Sequence, residues 1–130
     1  MEGITTFRIA GWDEQSFAEV EDAGKLCRAS VIKTYTGEIS GEGKLEYLMA
    51  YQTDGSAVFT GFERVIGTVG GKTGSFVFQH SGNYRNGEMT QESVILPGSG
   101  TGELAGIKGT GNITAGHQEE YPMSFSYDIK

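Results

Sequence analysis

"VIGTVGGKTGSF", Val65 to Phe76, is the stretch on which the reading of the chain turns. Its Gly70-Gly71-Lys72-Thr73 has the letters of a phosphate-binding loop. The GxxxxGK[ST] pattern needs a glycine five residues before its second glycine. Counting back from Gly71 reaches Ile66 instead. Such a loop must also open a helix whose N-terminal amides face the phosphates. Here "GSFVFQH" follows, alternating apolar and polar residues as a strand does. Gly70-Gly71 therefore reads as a two-residue hairpin turn, in which both positions take positive φ.

Working outward, Asn86-Gly87 is a second two-residue hairpin signal, and Thr53-Asp54-Gly55 fits a three-residue turn with glycine in the left-handed position. Alternation bounded by glycine-bearing turns predicts strands over Ile4–Trp12, Leu26–Tyr35, Lys44–Gln52, Ala57–Thr68, Thr73–Tyr84, Met89–Leu96, Leu104–Thr114 and Tyr121–Ile129. The acidic stretch "DEQSFAEVEDAGK", Asp13 to Lys25, reads as a loop or helical turn. Eight short strands without intervening helices indicate an all-β, eight-stranded antiparallel β-barrel or sandwich built of meander hairpins.

The turns set the register, and the register sets which side chains share a face. Tyr47 falls opposite Gly61, Leu45 opposite Glu63, Glu63 opposite Phe78, Gly61 opposite His80, His80 opposite Ser93 and Tyr84 opposite Met89. One face then carries Tyr47, Met49, Tyr51, Phe59, Glu63, Phe76, Phe78, His80, Tyr84, Met89, Gln91 and Ser93. The other carries Glu46, Leu48, Val58, Phe62, Arg64, Ile66, Val77, Gln79, Glu92, Val94 and Leu96. A two-residue turn at Asp54-Gly55 would swap the faces of the earlier strands. The three-residue turn is preferred because it sets Glu46 diagonal to Arg64 and a tyrosine over a glycine. A closed barrel puts the aromatic face inside, where eight strands either fill the lumen or hold one small ligand. The outer face is apolar in its middle, which predicts a homo-oligomer.

With 130 residues the chain suits one domain, 1–130. A formal net charge of -7 argues against nucleic acid and against anionic membrane surfaces as partners. Cys27 is the only cysteine, so an internal disulfide is impossible and a reducing, cytoplasmic setting is expected. "MEGITTFRIAGW" lacks the pattern of a signal peptide, and no apolar run is long enough to span a bilayer. Twenty-one glycines among aromatic and β-branched residues indicate many tight turns, not disorder.

"GWDEQ", "RASVIKTYTGEISGEGKLEYLMAY", "GFERVIGTVGGKTGSFVFQHSG" and "LPGSGTGELAGIKGTG" together resemble an uncharacterised bacterial family, domain of unknown function 3224, with an allene oxide cyclase-like β-barrel. The likeness spans nearly the whole chain. It implies a calycin-like, eight-stranded barrel with a central cavity, in a group where oligomers are common. It implies no activity, because no motif here matches the catalytic residues of allene oxide cyclase or of the dirigent proteins.

Among chemistry-bearing residues, Glu63 and His80 stand out. They share the inner face on neighbouring strands, two residues out of register, and would suit acid–base catalysis. The alternative is a buried pair that satisfies itself. Tyr47, Tyr51, Phe59, Phe76, Phe78, Gln91, Ser93 and Tyr127 are the candidate ligand contacts. Lys33 joins the inner face if the turn at Ile39 to Gly41 is a three-residue one, pairing with a ligand carboxylate or lying at the rim with its amine in water. Trp12 either closes one barrel mouth or plugs the floor. Cys27 reads as a small hydrophobe. Two histidines without ligand spacing predict no metal, and no cofactor is expected. The expected function is binding of a small lipophilic or aromatic molecule in an apolar cavity. A cofactor-free isomerase or cyclase, or a filled barrel serving as an oligomeric module, are the alternatives.

Overall fold

The computed structural model describes residues 1–129. Long hairpins dominate it: β1 (Glu2–Glu19), β2 (Lys25–Gly37), β3 (Ile39–Tyr51), β4 (Ala57–Val69), β5 (Lys72–Arg85) and β6 (Glu88–Ile95). A two-residue strand β7 (Thr101–Gly102) precedes β8 (Lys108–Ala115) and β9 (Tyr121–Asp128). Every pairing is antiparallel. Each main strand meets its sequence neighbours, and β1 meets β9, so eight strands close into an antiparallel barrel with β7 outside against β5. Closure joins the strands into a ring, although residues 8–19 of β1 run past β9 and pair with β2 alone.

The opening stretch forms the hairpin its glycines require: φ is 56° at Gly70 and 84° at Gly71. Asn86-Gly87 makes a second turn of that kind, with φ 53° and 78°. At the third, Gln52 N–H donates to Ser56 O at 2.8 Å across Thr53-Asp54-Gly55, giving the three-residue turn. All six expected pairings follow, from Tyr47 opposite Gly61 through Tyr84 opposite Met89. The pleat then does the rest, and β2 and β4 alternate buried and exposed along most of their length.

Four expectations need correction. Asp13–Lys25 is no loop or helical turn through most of its length, because β1 runs on to Glu19 and pairs with β2 down to Lys25. Cross-strand bonding outweighs acidic composition there, and shifts at Ile9/Gly11 and Ser16/Ala18 bend the strand. The late strand starts at Lys108 instead of Leu104. Positive φ at Gly98, Gly102 and Gly106 breaks the preceding segment into turns. The β2–β3 turn lies at Gly37–Ile39, not Ile39–Gly41, yet Lys33 still faces inward, opposite Gly43. Glu46 accepts from Arg28 Nε at 2.8 Å and Ser30 Oγ at 2.9 Å, so Arg64 is not its partner.

One end of the lumen is packed solid. Tyr35, Ile39, Val65, Val69, Phe76, Phe78, Ile95 and Phe125 form its core with Leu104 and Ile107, which drop from the β7 segment and plug the end. Outside, Leu48, Val58, Phe62, Ile66 and Val94 are exposed on neighbouring strands.

Leu104 is fully buried, so Leu104→Ala is expected to lose roughly 2–5 kcal/mol of unfolding free energy. Phe62→Ala, on the exposed face, should cost well under half of that; urea denaturation of both variants measures the difference.

Candidate functional site

At the centre of the barrel lies a carboxylate wholly removed from water. β4 alternation points Glu63 inward opposite Leu45, and Gly43, two residues from Leu45 on β3 and opposite Val65, leaves the room for its carboxylate. A Cβ on Gly43 would collide with the Glu63 carboxylate. Tyr35 of β2 donates its hydroxyl to both oxygens, at 3.0 Å to Oε1 and 2.8 Å to Oε2. His80 Nε2 lies 2.6 Å from Oε1, and His80 Nδ1 lies 2.7 Å from Ser93 Oγ. A carboxylate only accepts, so Nε2 carries the proton and Nδ1 accepts from the serine. Lys33 Nζ stands 3.6 Å from Glu63 Oε1, longer than a hydrogen bond, and 4.2 Å from the centroid of the Phe7 ring.

The protonation states follow from these neighbours. Burial pushes the Glu63 carboxyl up, but Lys33, His80 and Tyr35 outweigh it and leave the pKa below the usual 4.5. Burial lowers His80 below 6.5 despite the opposing pull of Glu63, so the ring is neutral. Burial also lowers Lys33 from 10.5, again opposed by Glu63, and it drives Tyr35 well above 10 together with that carboxylate. Both ring nitrogens of His80 and both oxygens of Glu63 are taken. The pair satisfies itself.

Above this network the lumen opens into a cavity of about 650 Å³. Phe7, Lys33 and Tyr47 reach its floor; Ile9, Val31, Met49, Ala57, Phe59 and Tyr121 help form its walls. Trp12, Tyr51, Tyr84, Met89 and residues 116–119 surround the mouth. Tyr47 covers Gly61, as its place opposite that glycine requires, and its hydroxyl donates to Gln91 Oε1. Gln91 Nε2 is buried and, among the described residues, has no hydrogen-bond partner. At the mouth Glu14 accepts from Trp12 Nε1 at 3.1 Å and from Tyr51 hydroxyl at 2.9 Å. Burial, then Glu14, pushes Tyr51 up to about 12. The loop after β8 is fastened by Arg8, which reaches Glu119 at 2.9 Å and Glu120 at 3.1 Å.

Of the residues expected from sequence, Tyr47, Tyr51 and Phe59 line this cavity. Phe76, Phe78 and Tyr127 belong to the packed half, Tyr127 donating to Glu38 at 2.8 Å. Gln91 and Ser93 are buried behind the lining, positioning Tyr47 and His80. Glu63 and His80 come together but lie beneath the floor, away from the open space. Lys33 overturns the expectation of a solvated rim: it is 2% exposed, because the Glu63 carboxylate draws its amine inward. Trp12 is at the mouth and not in the plug. Phe7, Val31 and Tyr121 escaped sequence reasoning because no two-residue turn joins their strands to the central hairpins, leaving their faces unassigned. Cys27 is buried as a small hydrophobe, its thiol pushed up by burial and by Glu14. Among the described residues no group of three His, Cys, Asp or Glu is placed to hold a metal ion. Among the described residues no helix is long and apolar enough to cross a membrane.

Residues 3–127 match the family described as "Protein of unknown function (DUF3224)". A crystal structure of a DUF3224 protein of unknown function from Shewanella oneidensis MR-1 is similar throughout, with 27% identity and a TM-score of 0.80. The alignment covers 100% of this chain and 98% of that one. No curated protein matches significantly.

Gly43→Ala is expected to lower stability by roughly 1–3 kcal/mol, since the pinned carboxylate cannot yield without breaking its bonds. Urea titration reads this directly. The depressed His80 pKa means the unfolded chain takes up a proton below 6.5 that the folded protein refuses. Stability should thus fall as pH drops below that value, and His80→Gln should flatten the fall between about pH 7 and pH 5. The Glu63 contribution is full above 4.5 and is lost only as pH falls through its lower folded value.

Proposed function

We propose that this chain, which belongs to the DUF3224 family, is a binding barrel for a small lipophilic or aromatic molecule. One observation carries the reading: half the lumen is packed while the other half is a cavity of about 650 Å³ with aromatic and aliphatic walls and two polar groups on its floor. That volume lies in the range of small-molecule sites, and this pattern of apolar walls with few polar anchors is typical of them. The allene oxide cyclase-like character implied by the sequence belongs to the same proposal, a barrel that shapes an oily guest.

Binding is favoured over isomerase or cyclase chemistry by Glu63 and His80. Their donors and acceptors are used on each other, and they sit below the space a substrate would fill. Partnering with a second copy is part of the proposal. The outer face supports it, where Leu48, Val58 and Phe62 form an apolar patch beside charges of both signs, Glu46 and Arg64.

Trp12 is the only tryptophan and stands at the mouth, so its fluorescence reports occupancy. Titration with an environment-sensitive naphthalene dye should quench Trp12 and enhance the dye. Ala57→Trp, which fills the cavity from its wall, should abolish the dye signal while the fold persists by circular dichroism. Dye binding undiminished in that variant would place the site elsewhere. Phe62→Glu should lower the mass measured by light scattering; an unchanged mass removes the outer face as the interface.

A further inference from the structure

We infer that the cavity floor selects a ligand with an uncharged carbonyl head over one with a carboxylate. This rests on the reading that the cavity holds a lipophile, and it names the polar chemistry of that guest.

Lys33 is the one cation on the floor, and its charge is already answered. Glu63 Oε1 lies 3.6 Å away, close enough to balance it and too far for a directional bond. The oxygens of Glu63 are engaged by Tyr35 and His80 instead. Lys33 therefore keeps N–H donors for whatever lies above it. Tyr47 offers the guest no free donor, because its hydroxyl is held by the oxygen of Gln91 behind the lining. Lys33 thus leaves unused donors at the floor, and they ask for an acceptor.

Charge decides which acceptor. The neutral imidazole of His80 adds nothing positive, its Nε2–H committed to Glu63 and its Nδ1 to Ser93. A carboxylate entering beside Lys33 would leave two buried anions facing at most one cation, and an unbalanced charge out of water is costly. A ketone, ester or amide carbonyl takes the same N–H donors without that imbalance. The mouth reinforces the choice, since Glu14 and Glu119 stand there on a chain of net charge -7.

The test is calorimetric titration with three probes on one ring system: methyl naphthyl ketone, naphthoate and methylnaphthalene. The ketone should bind tightest, at least roughly tenfold ahead of naphthoate. Lys33→Met should erase the advantage of the ketone over methylnaphthalene. Glu63→Gln, which leaves the lysine charge unopposed, should shift preference toward naphthoate. If that variant does not fold, Lys33→Met and the wild-type ranking still decide. Naphthoate binding as tightly as the ketone, or a ketone no better than methylnaphthalene, overturns this inference alone. Failure of all three to bind overturns the cavity reading and this inference with it.

Discussion

An ionised carboxylate in a barrel interior is the demand around which this molecule is arranged. Removing such a group from water costs several kcal/mol unless donors and an opposite charge replace the solvent. Glu63 obtains them from two strands. Tyr35 and Lys33 come from β2, His80 comes from β5, and Ser93 of β6 holds the imidazole in the tautomer that donates. Gly43 on β3 provides the space. Remove any one and either a charge loses its partner or a side chain occupies the place of the carboxylate.

That cluster also divides the lumen. Below it, aromatic and aliphatic side chains interlock with the plug from the β7 segment. Above it, the strands carry smaller or shorter inward groups such as Val31 and Ala57, and space remains. The two halves have different duties. The packed half supplies the apolar burial that holds the barrel shut, and the open half is spared that role, which is what allows a cavity to persist in so small a protein.

The central hairpins were legible from sequence because their turns are chemically explicit. Gly70-Gly71 and Asn86-Gly87 tolerate the positive φ that two-residue turns need, and parity then carried Glu63, His80 and Tyr47 to one face. Where the turns lack that signature the reading failed. The acidic run after Trp12 has the composition of a loop, yet β2 lies alongside with unpaired backbone groups and recruits it as strand. Lys33 was misjudged for a related reason: a lone lysine in a strand suggests a snorkelling side chain until its partner, thirty residues away, is known. How far each inward ring sits along the barrel axis depends on strand tilt, which alternation does not encode. Face was readable and depth was not, and this is why Phe76, Phe78 and Tyr127 looked equivalent to Phe59.

The way the ring is shut bears on how the chain attains it. Seven of the eight seams join strands consecutive in the ring by short local connections, apart from the glycine-rich detour between β6 and β8. The remaining seam joins β1 to β9, Glu2 against Ser126 and Phe7 against Tyr121. Pairing partners so distant in sequence is slow, because chain entropy is lost before contact energy is gained. Until that seam forms the meander of hairpins has two bare margins, and bare margins are templates for intermolecular strand addition. During biosynthesis the protein is most vulnerable to aggregation in the interval before its first and last strands meet.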